Sequence, residues 1–233
     1  MIRDKGKKVK HEDKLVAVTS RVVDFVSEHY KVFVFSILGI VIIGGAVLWY
    51  YYHLHQVRLE ASKVYSEFVD EYIKPQKAPA DDKNTEVRDI AVMESKCEEL
   101  RDKYGNTVYP TLALYFLGQA YFENGEYDKA LERFEECQKG SDNELVSIVS
   151  LWGCADCYRA SGDTQKAIEL YDTILNKYSS NALMPGVLMQ KAKCYLELKE
   201  SEKAIAVYRQ LTIEYPQSAF VPDAKEMLTY LGG

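Results

Sequence analysis

The chain has 233 residues, 35 acidic against 29 basic, a formal charge of −6, and enough apolar side chains, 47%, for a packed core. Outside the first 31 residues there is no clustered Lys or Arg, so nucleic acid is excluded as a partner, because phosphate binding needs a basic patch. Five cysteines, an odd number, also argue against a disulfide framework.

The N-terminal segment, residues 1–31, holds eight basic and five acidic residues. Its first 13 residues read as disordered from their polarity. Residues 15–30, LVAVTSRVVDFVSEHY, place Leu15, Val18, Val22, Phe25, Val26 and His29 at three- and four-residue steps, which predicts a short amphipathic helix. Flanked by Lys14, Arg21 and Lys31, it suits either an interfacial helix or an early start of the membrane helix. Residues 32–52, VFVFSILGIVIIGGAVLWYYY, follow as an uncharged apolar run. At ~1.5 Å per residue this run covers about 31 Å, the thickness of a bilayer's hydrocarbon core. It predicts one transmembrane helix rather than a cleaved signal, since it lies behind 31 residues of polar chain and lacks an A-x-A site. Trp49, Tyr50, Tyr51 and Tyr52 read as an aromatic belt at its far interface. The basic bias before the run predicts a cytoplasmic N-terminus and an extracytoplasmic remainder, although Arg58 and Lys63 lie close on the other side.

Residues 53–110 read as membrane-proximal helices, HQVRLEASKVYSEFVDEYI and a second from about Val87 to Tyr104, joined by a polar loop at 74–85. An internal repeat fills residues 111–218. Segments starting at Leu112, Val149 and Gly186 align without gaps at a spacing of 37 residues. Each unit presents Leu (114, 151, 188), a small residue (Gly118, Ala155, Ala192), Tyr (121, 158, 195), Ala (130, 167, 204) and an aromatic (Phe134, Tyr171, Tyr208). This order predicts helix, turn, helix, with Asn124-Gly125 and Ser161-Gly162 as turns and a less regular turn where Lys199 replaces Gly. One period earlier, Met93 and Cys97 occupy the Ala and aromatic positions of a degraded unit. Residues 219–233 predict a closing helix, which a solenoid needs to cover its last apolar face.

These positions resemble the tetratricopeptide repeat, whose Leu, Gly, Tyr, Ala, Phe and late Pro come in this order; only the third unit keeps the Pro, as Pro216. The fold class expected is therefore all-α, a single N-terminal transmembrane helix followed by a TPR-like helical-hairpin solenoid. The layout from SEHYK through the span and WYYYHLHQ to the repeats also resembles the YfgM-type ancillary subunits of the SecYEG translocon. That resemblance implies an inner-membrane protein with a periplasmic repeat domain working with translocon or chaperone partners on exported proteins. The repeats alone are also similar to those of periplasmic flagellar motor collars, whose role as a structural component of a large envelope assembly is the alternative.

Signs of chemistry are sparse. His11, His29, His53 and His55 all precede the repeats, and GxxxxGK[ST], GxGxxG and HExxH are absent, so no catalytic, cofactor or metal residues are assigned, and no small-molecule substrate. Cys154 and Cys157 form a C-x-x-C, but they lie inside a repeat helix, and Cys157 and Cys194 share one repeat position. With Cys97 and Cys137 they read as small core residues; a thiol oxidoreductase at Cys154 and Cys157 is the competing enzyme reading.

Binding of a protein or peptide is the function left. If the first helices of the hairpins line an inner face, the residues pointing into it are Tyr115, Gln119 and Phe122, then Trp152, Asp156 and Arg159, then Met189, Lys193 and Leu196. Their mixture of apolar and polar columns suits an extended peptide or a partner helix. The alternative is that the same column packs on neighbouring helices of its own domain.

Overall fold

The computed structural model of the chain describes residues 5–73 and 89–232. The polar loop expected at 74–85 lies outside them. Nine helices are described: α1 (Lys5–Ile73), α2 (Ile90–Tyr104), α3 (Tyr109–Glu123), α4 (Tyr127–Lys139), α5 (Glu144–Ala160), α6 (Thr164–Lys177), α7 (Met184–Glu197), α8 (Ser201–Glu214) and α9 (Val221–Tyr230). Among the described residues there is no strand. The chain divides into two units, Met1–Val57 and Arg58–Gly233.

The first unit consists of most of α1. The helix begins at Lys5, where disorder was expected, and runs without interruption through the amphipathic segment and the apolar run. The reason is composition: the first Pro is Pro75, and the only glycines of the apolar run, Gly39 and the adjacent pair Gly44-Gly45, weaken a helix without breaking it. Its apolar side chains have no protein cover. Phe35 is 70% exposed and Leu48 73%, which makes α1 a candidate membrane span.

The second unit starts with the C-terminal part of α1, where Ala61, Phe68 and Tyr72 are buried and Tyr65 half-buried at helical spacing. Lys96 of α2 pairs with Glu67 at 2.9 Å. Tyr65 meets Tyr109 and Tyr72 meets Phe116 of α3, with ring centroids 5.3 and 5.1 Å apart. From α2 onward each helix packs on the next, and α3 also touches α5. The result is a right-through solenoid of helical hairpins, α3–α4, α5–α6 and α7–α8, closed by α9, whose Val221 and Ala224 are buried.

Helix starts follow local chemistry. Asp89, Asn143 and Asp163 cap α2, α5 and α6 by accepting from the backbone of Val92, Val146 and Lys166. Pro110, Pro185 and Pro222 open α3, α7 and α9, at positions whose missing N–H costs nothing. Inside the hairpins the repeat residues form the core. Phe134, Tyr171 and Tyr208 are at most 1% exposed, and Ala130, Ala167 and Ala204 are fully buried. The Phe134 ring is held between its own hairpin and the next: a Cβ on Gly118 or on Gly153 would come within 2.8 Å of it.

The three hairpin turns share one geometry. Gly125 and Gly162 take φ of 80° and 89°, and Lys199 takes φ of 62° at the same position. In each turn the following residue donates back across the helix end, Glu126 to Tyr121, Asp163 to Tyr158 and Glu200 to Tyr195, at 2.9, 2.8 and 2.8 Å. The repeat thus imposes a left-handed residue even where the side chain opposes it. Lys199→Gly is expected to stabilise the fold by about 0.5–1 kcal/mol, the relief of that strain less the added freedom of the unfolded chain, measurable by urea denaturation.

Candidate functional site

The nine candidate groove residues lie on α3, α5 and α7, the first helices of the hairpins. On α3, Tyr115 is half-buried against Phe134 and Phe116, centroids 5.7 and 5.5 Å away, and its hydroxyl accepts from Gln119 Nε2 at 3.1 Å. Burial pushes the Tyr115 hydroxyl above its ordinary pKa. Phe122 stacks at a tilt on Tyr127, 5.4 Å away, beside the turn.

On α5 the structure joins two candidates into a polar network. Asp156 accepts from the Tyr171 hydroxyl of α6 at 2.8 Å and faces Arg159 at 3.7 Å. Arg159 reaches across to Glu197 of the next hairpin at 3.2 Å. Burial raises the Asp156 carboxyl above the usual range, against the pull of Tyr171, Arg159, Trp152 and Lys193. Trp152 packs within its own domain: its ring lies over Gly186 of α7, where a Cβ would sit 2.8 Å from the indole. Met189 is buried at 6% exposure, Leu196 is half-buried, and Lys193 is exposed. The apolar column therefore serves as packing between hairpins at Trp152 and Met189, and the polar column meets solvent at Lys193.

Two participants escaped the sequence reading. Glu197 ties one hairpin to the next, and Gly186 makes room for Trp152. The signal for Gly186 was present: earlier units carry Leu112 and Val149 at its position, so a glycine there marks a close approach from outside the helix. Glu197 had no such signal, because its partner is 38 residues away on another hairpin.

All five cysteines are free and buried. Burial pushes the thiols of Cys97, Cys154 and Cys157 up to about 12 and that of Cys194 to about 11, and raises that of Cys137, which accepts from Ser150 Oγ at 3.1 Å and donates to Thr111 O at 3.2 Å. Thiols held this way are protonated at neutral pH and weak nucleophiles. Iodoacetamide is expected to leave the native protein unlabelled over minutes at pH 7.5 and to label five sites in denaturant, read by intact mass. Rapid native labelling at Cys154 or Cys157 would restore the thiol-enzyme reading. Of the histidines, His53 stacks on Trp49 with centroids 5.6 Å apart and His29 Nδ1 lies 3.0 Å from the Phe25 carbonyl. Among the described residues no group of three or more His, Cys, Asp or Glu is placed to hold a metal ion.

Comparison with known proteins agrees with this architecture. A family profile described as a tetratricopeptide repeat-like domain matches residues 26–210. No curated protein sequence matches the chain. Among solved structures, the nearly identical TPR-like repeats of a putative kinesin light chain from Podosopora anserina align over 73% of this chain and 93% of that one, at 17% identity and TM-score 0.55. A tetratricopeptide repeat protein from Parabacteroides merdae aligns over 73% of this chain and 61% of its own length, at 19% identity and TM-score 0.52. PcrH, solved in complex with the chaperone binding region of PopB, aligns over 51% and 94% at 21% identity and TM-score 0.43. The first two similarities establish a shared fold.

Proposed function

The chain belongs to the tetratricopeptide repeat-like domain family, and from that premise we propose that it is a membrane-anchored scaffold or adaptor whose repeats bind protein or peptide partners on the periplasmic side of the inner membrane. The single observation that carries the reading is a helix whose apolar run is exposed on all sides, in the same chain as a solenoid of the protein-binding repeat class. An apolar helix of bilayer length without protein cover is stable in lipid and not in water. In this reading residues 32–52 cross the bilayer, the basic N-terminal segment stays in the cytoplasm, and translocon subunits, chaperones or exported chains are the partners. The partner face follows the line of Gln119, Asp156, Arg159 and Lys193, of which Lys193 is the exposed member and the other three are half-buried.

Photocrosslinking from position 119 in intact membranes, with mass spectrometry of the captured proteins, tests the proposal. Translocon subunits, chaperones or many exported chains are expected. Capture of one neighbour in fixed stoichiometry would replace the adaptor by a structural part of an envelope assembly such as a motor collar. Because Trp152 covers Gly186, Trp152→Ala is expected to cost about 1–3 kcal/mol of stability, and lost binding there is ambiguous. Lys193→Glu is the cleaner variant: it should abolish capture while leaving Tm unchanged, and capture at the wild-type level would remove this face from the partner surface.

A further inference from the structure

The position of Phe134 recurs every 37 residues, at Tyr171 and Tyr208, and all three rings are buried between successive hairpins. One period earlier the same position, on α2, is Cys97. A thiol thus stands where the solenoid elsewhere carries a six-membered ring. Phe116, at the position of Gly153, turns to Tyr72 and Tyr115 and does not compensate for the missing ring. A cavity of about 130 Å³ remains between α2, α3 and α4. Cys97, Pro110, Leu114 and Leu117 line its apolar part; the first, second and fourth are buried.

Its rim is also unlike that of the next junction. Glu94 and Arg133 border the cavity, whereas one period later the corresponding residues are Leu131 and Leu170. Three of the rim groups are engaged: Glu94 accepts from the Tyr121 hydroxyl, Arg133 pairs with Glu132 and Glu136 at 2.8 and 2.9 Å, and Arg101 pairs with Asp102 at 3.3 Å. Glu98 and Arg101 complete the rim, both exposed. An apolar cavity of about 150 Å³ admits benzene, so a site near this size, open at a carboxylate, fits one ring with one donor.

We infer that this cavity binds a single aromatic ring bearing a hydroxyl, the ring against Cys97, Pro110, Leu114 and Leu117 and the hydroxyl donating to Glu98. A free phenol and the tyrosyl side chain of a partner share that chemistry. The site lies apart from the α3, α5 and α7 column and does not depend on its role.

The test uses the full chain in lipid nanodiscs with 4-fluorophenol as probe, followed by fluorine NMR. Wild-type protein should shift the probe resonance saturably, beyond the linear uptake of empty nanodiscs. Cys97→Phe, which supplies the missing ring, should weaken binding roughly tenfold or more and keep or raise Tm, and Glu98→Ala should weaken it with Tm unchanged. Cys97→Met, a smaller filler, gives the same reading should the phenylalanine variant fail to fold. Displacement of the probe by N-acetyltyrosinamide identifies a tyrosyl side chain as occupant; binding without displacement identifies a free phenol. Identical linear uptake by wild type, the Cys97 variants and empty nanodiscs would overturn the inference.

Discussion

Phe134→Ala is expected to lower the unfolding free energy by about 3–5 kcal/mol, the usual loss for a buried ring and the cavity it leaves. For a unit of this size that corresponds to a fall in Tm of roughly 6–20 °C. The cost is near the upper end because the ring serves two hairpins. It lies against Gly118 of α3 and Gly153 of α5, and neither glycine has side-chain atoms with which to fill the void. Since each hairpin in a solenoid is stabilised by its neighbours, loss of this contact should also uncouple the N-terminal part from the rest. Circular dichroism should then show a broadened or two-step melt, and hydrogen exchange should quicken first in α3 and α4. A melt within 2 °C of wild type, a threshold of roughly 1 kcal/mol, would show that the hairpins are held together elsewhere.

Removal of residues 1–57 is expected to turn a protein that stays with membranes after alkaline carbonate extraction into one that stays in the supernatant. The apolar run contains twelve Val, Ile, Leu or Phe residues. At roughly 0.3–0.6 kcal/mol each near a bilayer centre, they favour insertion by about 4–7 kcal/mol. The remaining unit, Arg58–Gly233, keeps its own core from Ala61 and Phe68 through to Ala224, so the fragment should be helical and melt cooperatively. Ile40→Arg in the full chain is the graded version, since one arginine at mid-bilayer costs about 2.5–3.5 kcal/mol. Full-length protein found in the carbonate supernatant would sink the anchor and, with it, the proposed localisation.

Much of this architecture was legible before any coordinates, because a repeat writes the same contact three times. The alignment of Leu114, Leu151 and Leu188 with Phe134, Tyr171 and Tyr208 carries the helical hairpin, and Gly125 and Gly162 mark two of its turns. Lys199 shows the limit of local reading. Its side chain argues against a left-handed turn, yet packing of α7 on α8 holds the backbone at φ 62°. The N-terminal helix shows another: composition suggested a disordered start and separate segments, but a run free of proline has no reason to break, and α1 continues from Lys5 to Ile73.

The candidate site was less legible than the fold. Periodicity puts its nine residues on the first helices of the hairpins, where α3, α5 and α7 lie, but whether each meets solvent or a neighbouring hairpin depends on residues far away in sequence. Trp152 is packing because Gly186 leaves it a seat, and Arg159 is committed because Glu197 lies opposite.

The sequence by itself determined the helical class, the 37-residue period, an apolar run of bilayer length and the burial of the cysteines, since each depends on local periodicity or on a position repeated several times. Only the tertiary structure decided which inner positions are taken by contacts between hairpins and where a missing ring leaves a cavity beside Cys97. Those depend on pairwise distances between neighbouring units, where one substitution such as Gly for Val or Cys for Phe changes what its neighbour can reach.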